Sequence, residues 1–262
     1  MTTRSRVVAL LLGLGILAAF LGAWKAYVSL SDISAFVLPP PDDVGRSIID
    51  LLGQGRTWHH AWVTLQEILL GFAVALVCGL AVGVLIGEVP VLERAVNPFI
   101  VALQVLPKVS LIPLMILWMG FGMSAKVAVA AVFAFFPVTA GTRLGIRSVD
   151  PGHRDLAATL RATRWQRLRF VVLPSALPSI LTGMEVAIVL ATVGAVVAEY
   201  LAGGEGLGWL AVASLNQLQV DDLFAVIVLL AAMGCLVYSA VAGLRRMLVP
   251  WHPSADDRPP GF

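Results

Sequence analysis

Four ionisable side chains stand inside long apolar runs of this 262-residue chain: Glu67, Lys108, Glu185 and Glu199. Charge is expensive in a bilayer, and groups that stay there face a bundle interior or a water-filled path. Two chemistries follow. A lysine on such a path would suit an anionic solute, whereas a pair such as Lys108 with Glu67 or Glu185 would serve packing only. Lys108 stands out because Pro107 and Pro113 break the helix around it. Irregular backbone at membrane depth is tolerated where it is buried in protein or lines a cavity. Lys108, Glu185 and Glu199 are therefore the candidate path residues, and Glu67 is read as a packing group.

Other chemistry is poorly supplied. Gly206-x-Gly208-x-x-Ala211 matches the loose dinucleotide pattern, but it follows a membrane crossing where a Rossmann site needs a preceding strand. Gly203, Gly204, Gly206 and Gly208 fit a tight outer turn or re-entrant loop instead. His59, His60, His153 and His252 are scattered in loops or at crossing ends and form no metal cluster. Cys78 and Cys235 lie in apolar runs, where a thiol behaves as a small hydrophobe. No phosphate-binding loop of the G-x-x-x-x-G-K-[ST] type occurs, so ATP phosphates would have to bind on another chain. Scattered single acids make no convergent catalytic set, which argues against a membrane enzyme. No catalytic and no metal residues are assigned.

The elements that position these groups are set by composition. The chain is 59% hydrophobic and 13% charged, against about a quarter charged in soluble domains. Soluble enzyme, nucleic-acid binder and disordered protein are thereby excluded. At ~20 apolar residues per crossing, there is room for about six. The first run, 7–28, follows Arg4 and Arg6 and has two readings. A signal peptide is one, but the length and the poor cleavage site Ala23-Trp24-Lys25 favour a retained helix. Segment 29–58 turns polar, and 42–52 reads as an amphipathic helix at the membrane surface. Further crossings are expected at 61–87, 95–119, 124–145, 176–200 and 223–244. The third is interrupted by Pro98, Pro107 and Pro113. Gly71, Gly79 and Gly83 in the second allow close helix approach. Trp24, Trp58, Trp62, Trp209 and Trp251 sit at predicted boundaries as interface anchors.

Arginine placement gives the orientation. With the N-terminus inside, the inner segments hold Arg4, Arg6, Arg94, seven arginines between 143 and 169, Arg245, Arg246 and Arg258. The outer segments hold only Arg46 and Arg56, with Lys25 and Lys126 near outer helix ends. Both termini are expected in the cytoplasm. The one long inner connection is 147–174. Asp150-Pro151 starts a helix to about Leu160, and Thr163-x-x-Gln166 caps a second short helix through about Val171. Pro174 and Pro178 then mark re-entry. Leu156, Leu160 and Trp165 among arginines could fill a partner's groove, or the arginines could merely fix topology and touch headgroups.

Asp155-Leu156-Ala157, then Arg161, then Val171-Val172-Leu173-Pro174 resembles the cytoplasmic EAA loop of binding-protein-dependent ABC importer permeases. Leu38-Pro39-x-Pro41, Pro107-Lys108-x-x-x-Ile112-Pro113-Leu114, Trp118-x-Gly120-Phe121-Gly122 and Leu173-Pro174-x-Ala176-Leu177-Pro178-Ser179 resemble its aliphatic-sulfonate, nitrate and taurine branch. That branch is also similar to permeases for pyrimidine thiamine precursors and riboflavin. The likeness spans about 38–251.

The resemblance implies an all-α polytopic inner-membrane permease with about six transmembrane helices and a cytoplasmic coupling-helix loop. Residues 1–58 would hold the first helix and outer segment, 59–246 the core permease with the loop at 147–174, and 247–262 a cytoplasmic tail. Asp155, Leu156, Ala157, Leu160, Arg161, Arg164, Trp165, Leu173 and Pro174 would couple to an ATPase subunit, which binds ATP and Mg; this chain carries no cofactor. An extracytoplasmic solute-binding protein and a second copy of the chain complete the implied assembly. The implied solute is a small anion of the sulfonate, nitrate or taurine type; a pyrimidine precursor or riboflavin is the alternative. An ion-coupled secondary transporter is the rival of another class, but such proteins show broken helices in matching halves, and only one is present here. Two departures stand out: the family's glutamate is Asp155, and its glycine is Arg161. A non-glycine residue in a left-handed turn costs about 1–2 kcal/mol, so the turn is expected to shift to Ala162-Thr163.

Overall fold

The computed structural model describes residues 3–249 apart from 32 and 35. Trp251, His252, Arg258 and the rest of the expected tail lie outside the described residues.

Eleven α-helices account for the described chain, joined by short turns. α1 (Thr3–Leu30) is apolar on all sides, and α2 (Pro41–Leu52) is amphipathic, burying Val44, Ser47 and Leu51. α2 is tied to its neighbours by polar contacts at both flanks: Lys25 of α1 to Asp42 at 2.5 Å, and Ser47 to Asp222. α3 (Gly55–Glu88) begins six residues before the predicted crossing and, at 34 residues, is the longest α-helix among the described residues. The third apolar stretch is broken, as its prolines require. α4 (Pro90–Val105) runs through Pro98 intact, then a 3₁₀ turn (Lys108–Leu111) leads into α5 (Ile112–Met119) at a 91° bend. Pro107 and Pro113 sit where a missing N–H does least harm, at the break and in the first turn of α5.

α6 (Met123–Arg147) is the central helix, between α3 and α9 (Leu173–Ala202). Its approach to α3 follows the glycine spacing: Gly71, Gly79, Gly83 and Gly87 face Ala130, Val138, Thr142 and Ile146. On its other side Gly141 and Gly145 meet Gly183 and Ala176, backbone against backbone. In lipid, where apolar side chains gain nothing by leaving water, such close packing is the attraction that holds helices together. α10 (Leu207–Asn216) and α11 (Val220–Leu248) form a second cluster with α2, centred on Leu51, Leu207, Ala225 and Val226.

Among the described residues, five helices are long and apolar enough to cross a membrane, and six if the bent α4–α5 pair counts as one crossing. One boundary departs from expectation. The second loop helix does not end at about Val171. α8 (Arg164–Arg167) passes through a π-helical turn (Leu168–Val172) straight into α9, a continuous helical run to Ala202. Pro174 occupies the first turn of α9, and Pro178 is absorbed inside it.

Candidate functional site

The loop between α6 and α9 is built from capping chemistry. Asp150 accepts the Gly152 N–H at 2.6 Å, and Pro151 opens α7 (Pro151–Thr159). α7 closes with Arg161 N–H donating to the Ala158 carbonyl at 2.9 Å and Ala162 N–H to the Ala157 carbonyl at 3.0 Å. That pair is the Schellman pattern, which calls for a left-handed residue at its centre. Arg161 supplies it, at φ 52°. The expected shift of the turn to Ala162-Thr163 is therefore corrected: those residues are already committed to the next cap. Thr163 N–H donates to Gln166 Oε1 at 2.9 Å, and Gln166 N–H to Thr163 Oγ1 at 3.2 Å. With a cap on each side, the left-handed step can fall only at Arg161.

The seven arginines divide into two groups. Arg143 and Arg147 reach Glu93 at 3.4 and 2.8 Å, while Arg154 and Arg167 reach Glu88 at 3.7 and 3.5 Å. Arg154 and Arg167 thus fasten the loop to the end of α3, while Arg143 and Arg147 tie the end of α6 to α4. Arg161, Arg164 and Arg169 are exposed and pair with no acid among the described residues. Leu156, Leu160 and Trp165 are exposed at 60%, 73% and 65%, whereas Ala157 is buried. Leu156, Leu160, Gln166, Phe170 and Pro174 line an open groove of about 420 Å³. Asp155 is exposed, Leu173 half-buried and Pro174 exposed. The loop thus presents apolar side chains, one carboxylate and a cationic rim on a pre-formed backbone.

The three candidate path residues are not brought together. Lys108 is half-buried at the α4–α5 break, its ammonium 5.5 Å from the Phe136 ring and 6.0 Å from Phe133. It has no carboxylate partner among the described residues; Glu67 pairs with Lys126 at 3.1 Å and Glu185 with Arg245 at 2.9 Å. Beside the break, Asn97, Gln104, Thr139 and Arg143 line a cavity of about 80 Å³ between α4 and α6. Glu199 is fully buried. It accepts the Thr64 hydroxyl and the Gly208 N–H, each at 2.6 Å. Thr64 Oγ1 accepts Leu207 N–H at 2.8 Å, His60 Nδ1 accepts Gly206 N–H at 3.1 Å, and Lys126 donates to the Glu205 carbonyl at 2.7 Å. Sequence reasoning placed His60 and Lys126 at helix ends and missed their part in this cluster. The spacing His60, Thr64, Glu67 is a polar stripe along one helix face, and that was the available signal.

A fold of tightly packed apolar helices with a capped, basic loop is now in view, and it matches known proteins. Residues 75–251 match the family described as "Binding-protein-dependent transport system inner membrane component". The chain belongs to that family. The permease is 36% identical to the formylaminopyrimidine transport permease protein of Halalkalibacterium halodurans, covering 82% of this chain and 86% of that protein. It is 38% identical to the riboflavin transport system permease protein of Chloroflexus aurantiacus, over 88% and 86% of the two chains. It is 32% identical to the taurine transport system permease protein of Escherichia coli, over 92% and 90%. Its fold is like that of a permease chain in the inward-facing methionine ABC transporter, with TM-score 0.62 and 22% identity over 71% of this chain and 93% of that one. The permease is the membrane subunit of an ABC importer of the inner membrane, with ATP hydrolysis on a separate ATPase chain and solute delivered by a binding protein.

Proposed function

We propose that two copies of the permease form the translocation path for a small anionic solute of the sulfonate, taurine or nitrate type. Both termini lie in the cytoplasm, and the 148–172 loop docks on the ATPase, which holds ATP and Mg. The observation that carries the coupling role is the loop itself. It exposes Leu156, Leu160 and Trp165 on a backbone fixed by two caps, a Schellman turn and the Glu88 ion pairs. A rigid apolar knob transmits displacement, whereas a floppy one would absorb it. Closure of the ATPases pulls the two loops together, and the bundles rock between inward-open and outward-open states.

Support for an anion comes from Lys108, an ammonium at a broken helix without a carboxylate among the described residues, next to the polar slot of Asn97, Gln104, Thr139 and Arg143. A second reading, a pyrimidine precursor or riboflavin, is favoured by the aromatic faces of Phe133 and Phe136 beside that lysine and by the two relatives at 36% and 38% identity.

Asp155→Lys tests the coupling role. The variant is expected to insert normally and lose co-purification with the ATPase; an intact, active complex would overturn the assignment. Ala157→Glu is a poorer probe, because Ala157 is buried beneath the loop and the change would unfold it. For the solute, uptake by the reconstituted complex decides. Competition by sulfonates or nitrate, with KM raised about tenfold in Lys108→Gln, supports the anion; competition by a pyrimidine alone supports the second reading.

A further inference from the structure

The first halves of α3 and α11 face each other across an open groove of about 470 Å³. Its floor is Leu65 of α3, Leu207 of α10 and Met233 of α11, with Leu207 buried and the other two half-buried. Its walls are Trp58 and Trp62 of α3, 60% and 57% exposed, and Ala232 of α11, also exposed. The groove follows residues 58–65 of one helix and 229–236 of the other, about 10 Å along each at ~1.5 Å per residue. Polar atoms are scarce in it. The Trp58 indole N–H is already donated to the Leu52 carbonyl at 2.9 Å, which fixes the ring as a wall. A trapped water needs about two to four polar partners, and this lining does not supply them.

Position says what surrounds the groove. Both helices are long and apolar enough to span the bilayer, and the two tryptophans lie within the first turns of α3, at the depth where an aromatic belt sits. A second copy of the chain is drawn to another side of the bundle. The broken α4–α5 backbone must be covered by protein or water, and that stretch lies across α9 from the groove. Leu190, Val197 and Ala198 of α9 pack with Ile112 of α5, whereas Val196 joins the cluster of α10 and α11. Successive residues of a helix point about 100° apart, so α5 and α11 occupy different faces of α9. α1 meets the bundle where Trp24 lies 6.0 Å from Phe224, and it contributes no lining residue among those described. The groove is left open to hydrocarbon.

We propose that this groove is a binding site for one acyl chain of a membrane phospholipid, in the leaflet at the α2–α10 end of the bundle. Lipid tails are as apolar as leucine, so leaving the bilayer for the groove brings no hydrophobic gain. The gain is one of shape. A chain against a flat helix face touches protein on one side, whereas a chain between α3 and α11 touches it on three, and dispersion contacts that are individually small add up. Leu207 and Met233 also belong to the cluster that seats α10 on α11, so the chain completes that core from the lipid side.

Photolabelling tests the site. A phosphatidylcholine with a diazirine on one acyl chain is added in trace to lipid nanodiscs holding the permease and its ATPase, and labelled residues are mapped by mass spectrometry. Labelling at 58–65 and 229–236 should exceed that of the exposed Leu11–Leu30 stretch of α1 by about tenfold, the ratio for about 1.4 kcal/mol. Ala232→Phe puts a ring into the groove and should bring its labelling down to the α1 level, with α1 itself unchanged. Groove labelling no higher than that of α1 in wild type overturns the proposal; if Ala232→Cys then cross-links to a second copy, protein is the occupant. An Ala232→Phe variant that keeps the wild-type ratio overturns it as well. Should that variant not assemble, the wild-type ratio decides alone. None of these readouts depends on which solute is carried.

Discussion

Replacing Gly71 by alanine probes the seam on which the bundle depends. The added methyl carbon would lie 2.5 Å from Ala130 Cβ, 3.0 Å from the Val127 carbonyl and 3.1 Å from the Ala131 amide. Carbon atoms rest at about 3.5–4.0 Å, so α3 must back away from α6 by about 1 Å, and no flexible side-chain tip is available to yield instead. Overpacking of this kind costs about 1–3 kcal/mol. Alanine is intrinsically about 1 kcal/mol better than glycine in a helix, which offsets part of that cost. Gly45 of α2 is the internal control, since a methyl there meets nothing within 4 Å. Gly45→Ala should therefore stabilise by up to about 1 kcal/mol. The two variants should differ by about 1–3 kcal/mol, or roughly 3–10 °C in thermal midpoint in lipid nanodiscs, read by tryptophan fluorescence. Gly87→Ala should fall between them, because its contacts to Ile146 Cβ, Cγ2 and Cδ1, at 3.0–3.1 Å, are looser than the 2.5 Å approach at Gly71. If Gly71→Ala is as stable as Gly45→Ala, the packed-glycine account of the α3–α6 interface is wrong.

Two further outcomes concern the loop. Arg161→Gly removes a left-handed strain of about 1–2 kcal/mol, partly offset by glycine's greater freedom when the loop opens. Protection of the amides at positions 161 and 162, relative to their intrinsic exchange rates, should rise by about threefold to tenfold, and lower protection would contradict the Schellman assignment. Glu88→Gln frees Arg167 and leaves Arg154 only its bond to the Ile146 carbonyl; the two lost ion pairs are partly solvated and each worth under about 1 kcal/mol. Exchange across 151–171 should quicken a few-fold with the global midpoint nearly unchanged; no local change would mean that the ion pairs do not hold the loop.

Much of the architecture is legible in the sequence because the forces that set it are local. Apolar run length fixes the crossings. Pro107 and Pro113 break one of them through backbone sterics, and the caps at Asp150 and Thr163 involve residues two or three positions apart. The glycine spacing of α3 announced a close approach but not its partner. Local spacing missed one continuity: the second loop helix, expected to end at about Val171, runs through a π turn into α9, with Pro174 in its first turn and Pro178 inside it. Arg161 was expected to escape its strained position, and the fixed caps on either side left it no room.

The sequence by itself determined that this is a polytopic helical membrane protein with a basic, doubly capped loop, since hydropathy, helix breaking and capping are decided within a few residues. Only the tertiary structure decided which charge meets which. Thr64 and Glu199 are 135 positions apart, and Lys126 and the Glu205 carbonyl 79. Four arginines turned inward to Glu88 and Glu93 and three outward, although all seven look alike in the sequence. Electrostatic partnership in a dry interior depends on ångström separations between helices, and those distances exist only once the glycine seams have set how closely the helices lie.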